Sequence, residues 1–554
     1  MNFNHISLKY LLFLTLIFIG FNQHLFNANW RWDDSQILLH AYNTSIFDNF
    51  TNPEIWRKFS SNNLTPWLIL SFKIDYLIFG LNPLGFYCHH LLSLVFLSYL
   101  MIHLSNELTN HFKSGFLCFI LFISGAPLYA VTEQLMTRHY IEGMIFCLLS
   151  IIFSIKFTNT KENKFIVYSL FFYVIATLCK EIYVPLIVIL ILIYWNNKTL
   201  NYKIFLSHFT VGLAYTAWRL YMLPSAIGGY STGNPSNGID FEKYFSGYLK
   251  IPELIFGELW QIPSFAILLL SIIYLFKKPS RIIFISVTLI SLLLPLAPLM
   301  NHPGINYPDR YLFAFWAFAS LFITVSIFNF LVFFKKNIGK IIFMIFCLLT
   351  LPLSAKQSHK FRADTILIGQ EFDAHAKFII ENKSMVNLFP SKTVLDSGWF
   401  IAGLFDLKSN ILKSENNIKI IIDGFFINDI KDQFWIYSLE CQCIEDKSFD
   451  LVNIKKRFES SLRPDEPLFI NLKISKAPDR VDWYFGPYSV GSYEILLPES
   501  YGVIKFRRQG SLNIQIDPHK DMNIILKYTD PTGWSTYSPL LKAGTVTPNL
   551  NWKR

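Results

Sequence analysis

Charge is scarce in this chain. Asp, Glu, Lys and Arg together make up 16% of its 554 residues, against 52% hydrophobic residues. A soluble fold has too little interior to hide that much apolar surface, so a purely soluble protein is excluded. Cysteine is scarce too, at seven residues. Cys88, Cys118, Cys147, Cys179 and Cys347 lie in or near apolar stretches and read as small apolar side chains. Cys441 and Cys443 are separated by one residue. That is poor spacing for a disulfide within a regular strand, and no histidine pattern marks a zinc site, so the two stay unassigned. There is no internal repeat, no low-complexity tract and no module that reads bases. The net charge of +10 therefore need not signal nucleic acid.

What the chain has is long apolar runs. On the criterion of roughly 20 apolar residues for about 30 Å of hydrocarbon, about eleven transmembrane helices are predicted. They lie near 8–26, 86–104, 115–131, 140–157, 165–180, 182–195, 204–222, 262–276, 282–300, 311–334 and 341–355. Short Lys-rich loops stay cytoplasmic. Lys156, Lys161 and Lys164 mark one, Lys198 and Lys203 a second, Lys277, Lys278 and Arg281 a third, and Lys335, Lys336 and Lys340 a fourth. This places the N-terminus inside. Outside are loops 27–85 and 223–261, a short stretch 301–309, and everything after Ala355. The first apolar run lacks a small-residue cleavage site and reads as a retained signal anchor.

The expected architecture is thus a polytopic α-helical membrane body, 1–355, followed by a soluble α+β or mainly β domain, 356–554. Within the latter, Phe361 to Glu381 reads as a helix. Ile418–Ile422, Leu468–Ile474, Tyr501–Arg507, Leu512–Ile516 and Asn523–Tyr528 read as strands, separated by turn residues such as Arg508-Gln509-Gly510.

Chemistry-bearing residues gather at the outer ends of the predicted spans. Asp33-Asp34 follows Trp30-Arg31-Trp32, and tryptophans favour the membrane–water boundary. An acidic pair there can take a proton from an acceptor hydroxyl or hold a divalent cation, Mg or Mn, that offsets a phosphate leaving group. It can equally cap the helix that begins at Ser35. Glu133, Arg138 and His139 stand between the third and fourth spans. Arg138 offers a planar fork for phosphate, or it snorkels to the interface. Lys180-Glu181 interrupts one apolar stretch, as a break, a polar pocket or an outer turn. Asp309, Arg310 and Tyr311 open a later span. Arg310 could meet a lipid-linked phosphate, or pair with Asp309. His89 and His90 begin the second span and, being adjacent, point to different sides of a helix. Trp399, Trp435, Trp483, Tyr484 and Trp534 could stack on sugars or form core.

In order, these pieces resemble the GT-C superfamily of polyprenyl-phosphate-dependent glycosyltransferases, in the branch of protein O-mannosyltransferases and lipid A aminoarabinose transferases. Asp33-Asp34 resembles the acidic pair of the first outer loop. Leu64-Thr65-Pro66-Trp67 and Ile74 to Pro83 resemble the proline-containing stretch that precedes the second span. His89 or His90 falls where such sequences often place a histidine. Glu133 with Arg138-His139, Lys180-Glu181 with Pro185, and Asp309-Arg310-Tyr311 resemble later elements. The sequence departs in having Leu-Thr where an arginine often precedes the proline, and in a tail without tetratricopeptide pattern.

The resemblance implies a membrane glycosyltransferase with a polyprenyl-phosphate sugar donor and an envelope glycan, lipid or protein as acceptor on the periplasmic face. Asp33 would be the base, and Asp34 its helper or the metal ligand. Arg138, Arg310 and Lys180 would hold the donor phosphate. Glu133, His139, Glu181, His89, His90, Asp309 and Tyr311 would support them. The rival readings are a polysaccharide transport or assembly protein, and an O-antigen-ligase-like enzyme.

Overall fold

The computed structural model describes residues 8–554 apart from 61–62, 201, 224–245, 278–309 (Leu293 excepted), 332–335, 432, 477–478 and 513–520. The chain forms two compact units. One holds 1–28, 40–231 and 238–366. The other holds 29–39, 232–237 and 367–554.

The first unit is helical. Four helices, Pro83–Thr109, Leu135–Thr160, Phe313–Leu331 and Ile341–Glu381, are long and apolar enough to cross a membrane among the described residues. A fifth span results if the bent pair Lys113–Ser124 and Ala126–Thr132 counts as one. The expected eleven are therefore not supported. Most of the other predicted spans do fold as helices; Tyr202–Met222 has 21 residues but falls below the apolarity needed, and several others are short. Leu8–Phe21 has 14 residues, Lys164–Cys179 has 16 and Leu186–Asn196 has 11. At 1.5 Å per residue, none of these reaches about 30 Å. The expected span 282–300 lies almost wholly outside the described residues, as do the glycine-rich stretch from Gly228 and Asp309.

Local sequence explains the breaks. Pro185 cannot pair with the carbonyl of Glu181 in a helix and would clash with it. The apolar stretch 165–195 accordingly stops at Lys180, whose backbone is extended, and resumes after a short turn Glu181–Tyr183. Pro127 and Gly125 similarly bend the stretch 113–132 by 69°. Trp316 fills that bend, its indole N–H donating to the Phe122 carbonyl at 3.0 Å. A Cβ on Gly125 would lie 2.1 Å from that indole nitrogen. Helix starts carry their own caps. Asn52 accepts from the N–H groups of Glu54 and Ile55, and Asn82 from that of Leu84, each ahead of a proline in the first turn.

Large apolar side chains, among them Phe72, Phe86, Leu94, Met101, Ile141 and Leu148, fill the centre of this unit. Small polar groups tie helices together: Ser154 and Ser150 both meet Ser169, and Tyr194 donates to Ser154. Such contacts are the usual glue where water is absent.

The second unit is sheet-rich. Its strands are β1 (Val386–Phe389), β2 (Ile418–Ile420), β3 (Phe434–Ser438), β4 (Cys443–Asp446), β5 (Phe469–Lys476), β6 (Asp479–Gly486), β7 (Ser492–Leu497), β8 (Gly502–Phe506), β9 (Gln509–Leu512), β10 (Met522–Thr529), β11 (Ser535–Tyr537), β12 (Leu541–Ala543) and β13 (Asn549–Lys553). One sheet runs β2-β1-β3-β4, with β1 parallel to both neighbours. A second runs β11-β10-β7-β8, with β12 also on β10, and a third runs β13-β5-β6-β9. Alternate residues Ile470, Leu472 and Ile474 of β5 join Phe485, Ile495, Leu526 and Tyr528 in one core, so the last two sheets pack face to face. Cys441 and Cys443 form a disulfide. The spacing that disfavours a bridge within a strand is accommodated because the pair flanks Gln442, which turns through a left-handed conformation between β3 and β4.

Two features give stability tests. Asp423 is buried, bonded to Lys527 at 2.7 Å and to the Tyr537 hydroxyl at 2.8 Å, with Glu494 3.5 Å from Lys527. Breaking a buried pair from one side leaves an uncompensated charge. Asp423→Ala should therefore cost about 3 kcal/mol and Tyr537→Phe about 1 kcal/mol, read by thermal unfolding of the full chain.

His40 donates to Asn49 at 2.7 Å and stacks on Phe59. Burial holds its pKa below 6.5, and the bond to Asn49 offsets part of that. A base with a lowered folded pKa resists protonation only when folded. Its contribution is thus complete above about pH 6.5 and declines as the pH falls below that value. Proteolytic nicking between 44 and 63 should rise in that window for the wild type and stay flat for His40→Phe.

Candidate functional site, an acidic turn and a cation cluster

Asn29–Leu39 belongs to the second unit, and its geometry separates the two aspartates. Arg31 is almost wholly buried and grips Asp373 through Nε at 2.8 Å and Nη2 at 2.6 Å. The Asn29 N–H donates to the same carboxylate at 2.8 Å. Trp32 takes a left-handed backbone conformation, φ 44°, rare for a bulky residue, and its ring packs on Phe372. Asp34 is fully buried and accepts from the Arg31 N–H at 3.0 Å. Asp33 is half-buried and accepts from the indole N–H of Trp399 at 2.5 Å. Gln36 donates to the Trp399 carbonyl at 2.9 Å. Asp33 can meet a substrate, whereas Asp34 closes the turn from within. Trp30 is buried.

One carboxylate oxygen of Asp34 is occupied by the Arg31 N–H. The residue exposes no surface. Among the described residues the one convergent set of three His, Cys, Asp or Glu ligand atoms is Cys441, Cys443 and Glu445, and its sulfurs are already bonded to each other.

The first unit contains the second feature. Lys180, at the break before Pro185, is buried. Its ammonium lies 3.9 Å from Glu181, 3.4 Å from the Asn63 side-chain oxygen and over the Tyr140 ring. Arg219, from the helix Tyr202–Met222, approaches the same Glu181 at 3.8 Å. The charges of Arg310 and Arg219 both act on Lys180. Arg310 donates to the Tyr311 hydroxyl at 3.2 Å, and Tyr311 meets Tyr140 edge-on. His139 is buried against Tyr140, within reach of the Lys180 and Arg310 charges. Cations from three separate segments, Lys180, Arg219 and Arg310, thus stand around Glu181 and the Tyr140–Tyr311 ring pair in an apolar unit. Glu181 offsets part of their charge, and an anionic ligand offsets more.

Arg138 is not part of that cluster's hydrogen bonding. Fully buried, it donates to Asp75, to the Ser71 hydroxyl at 3.2 Å and to the Phe86 carbonyl at 2.7 Å. His89 donates to Asp75 at 2.8 Å and lies 3.5 Å from Glu142, which also accepts from Trp67 and Ser71. This network joins the helices Pro66–Phe79, Pro83–Thr109 and Arg138–Thr160. His90 turns away, as its adjacency to His89 requires, and donates to the Val131 carbonyl at 2.9 Å. Glu133 is buried and takes two bonds from His24, at 2.8 and 2.9 Å.

The sequence reading missed Asp75, Glu142 and Arg219. Each is an ionisable residue in an apolar helix, and Glu142 stands four residues after Arg138, so the rule that such residues mark function or pairing applied to all three. It also missed the helix Gly398–Asp406, which carries Trp399 against the acidic turn.

Gly403 of that helix offers a probe. A Cβ there would lie 2.5 Å from Ser35 Oγ and 2.8 Å from Gln36 Cγ. Gly403→Ala should displace the Asp33 turn and reduce any Asp33-dependent activity by about tenfold or more, as ångström misplacements do, and lower thermal stability by about 1–3 kcal/mol through overpacking. No protein-family model, curated protein or solved structure matches the chain.

Proposed function

We propose that this protein is a membrane glycosyltransferase. It moves a sugar from a polyprenyl-phosphate carrier to a cell-envelope glycan, lipid or protein on the periplasmic face of a bacterial inner membrane. The observation that carries the reading is the convergence of Lys180, Arg219 and Arg310 in an apolar helical unit. Gathered cations in such surroundings suit an anion that itself resides in the membrane, and a lipid phosphate is that kind of anion.

In this mechanism the three cations hold the phosphate and stabilise the charge that grows on it as the bond to the sugar breaks. A general base removes the proton of the acceptor hydroxyl, the role that the family resemblance gives Asp33. The acceptor oxygen forms its bond to the sugar carbon while the bond from that carbon to phosphate oxygen breaks, inverting the centre. The proton resides on the base and the electron pair leaves with the phosphate. Arg138, committed to Asp75, has no role in phosphate binding here.

The test is transfer from a panel of radiolabelled polyprenyl-phosphate sugars by purified membranes. Asp33→Asn should lower transfer by about a hundredfold or more, the usual contribution of a general base, with expression unchanged. Asp34→Asn, also well expressed, should lose less activity and more thermal stability. Full transfer by Asp33→Asn would overturn the role given to that carboxylate.

A further inference from the structure

Aromatic side chains of the second unit differ in what they cover. Trp435 packs on Phe378, Trp483 on Phe506, and Trp534 on Tyr488 and Tyr528. All three are partly buried. Trp399 is 50% exposed. It is nonetheless held at both ends, its indole N–H by Asp33 and its carbonyl by Gln36. The bond at the ring edge fixes the orientation of the indole, and the close approach of Gly403 to Ser35 and Gln36 fixes the helix that carries it. An exposed aromatic face has been immobilised beside the one accessible carboxylate of the acidic turn.

We propose that Trp399 is the acceptor subsite, and that it takes a pyranose ring by stacking against the ring's apolar C–H face. This rests on the glycosyltransferase reading and narrows it: the acceptor hydroxyl belongs to a saccharide. A sugar ring has one face of C–H groups and an equatorial rim of hydroxyls. Stacked on the indole, it turns that rim toward the edge of the ring system, where Asp33 sits. The apolar face gains contact with an aromatic surface that costs no ordering on binding, because the surface is preorganised. Trp399 is then a positioning residue for Asp33 and a contact for the acceptor, and it takes no proton itself.

The experiment measures binding of cellotetraose, maltotetraose and chitotetraose to the detergent-solubilised full chain by saturation-transfer NMR and calorimetry. It compares wild type, Trp399→Phe and Trp399→Gln, with thermal unfolding to confirm that each is folded. Trp399→Phe keeps an aromatic face and loses the N–H. Trp399→Gln keeps an N–H donor and loses the face. Loss of an aromatic contact should weaken binding by about tenfold in Trp399→Gln, while Trp399→Phe, which keeps the face but loses the bond that orients it, should fall between Trp399→Gln and wild type. Wild-type binding that Trp399→Gln leaves unchanged, or no binding of any of the three by wild type, overturns the subsite. If Trp399→Gln loses saccharide binding yet no lipid-linked sugar is ever transferred, the subsite stands and the glycosyltransferase reading falls. If transfer is robust and insensitive to Trp399→Gln, the reverse holds.

Discussion

The buried ion pair between Arg31 and Asp373 joins residues 342 positions apart and determines what the acidic turn can do. A guanidinium with almost no solvent exposure must be paired, and here Nε and Nη2 donate to one carboxylate that also accepts the Asn29 N–H. With the start of the turn anchored, Trp32 is driven into its left-handed conformation, Asp34 is folded inward and Asp33 is left toward Trp399. Two identical side chains, adjacent in sequence, are thereby given different chemistry.

The helical unit follows the same constraint. Its buried charges are matched locally: Arg138 with Asp75, His24 with Glu133, and His89 between Asp75 and Glu142. These networks join helices and account for ionisable residues that apolar surroundings would otherwise reject. The group around Lys180 differs in that two cations, Lys180 and Arg219, share one carboxylate, Glu181. The break imposed by Pro185 lets that happen, since it releases Lys180 from the helix and leaves Glu181 as the shared carboxylate of Lys180 and Arg219.

Much of the architecture was legible in the sequence. Composition marked a membrane protein, and strand segments such as Leu468–Ile474, bounded by turn residues, marked the sheet-rich tail. The count of spans failed because short apolar segments such as 165–180 and 182–195 were counted as spans, and the helices that form there have only 16 and 11 residues. Several strands were missed because they are short, such as β11 and β12, or because polar residues interrupt them, as in β6. The positions of Asp33, Lys180 and Arg310 drew notice from local sequence alone. That Arg138 belongs to Asp75, and that Arg219 stands beside Lys180, depends on helix packing between segments tens of residues apart, and periodicity does not encode it.

The most direct measurement is native mass spectrometry of the purified protein with polyprenyl phosphate and with the uncharged polyprenol of equal length. The wild type should favour the phosphate by about tenfold or more, since a charge-assisted hydrogen bond contributes about 1.5–3 kcal/mol. A folded Lys180→Ala/Arg219→Ala double variant should bind the two lipids alike. Equal binding of phosphate and alcohol by the wild type would contradict an anion site at the cation cluster.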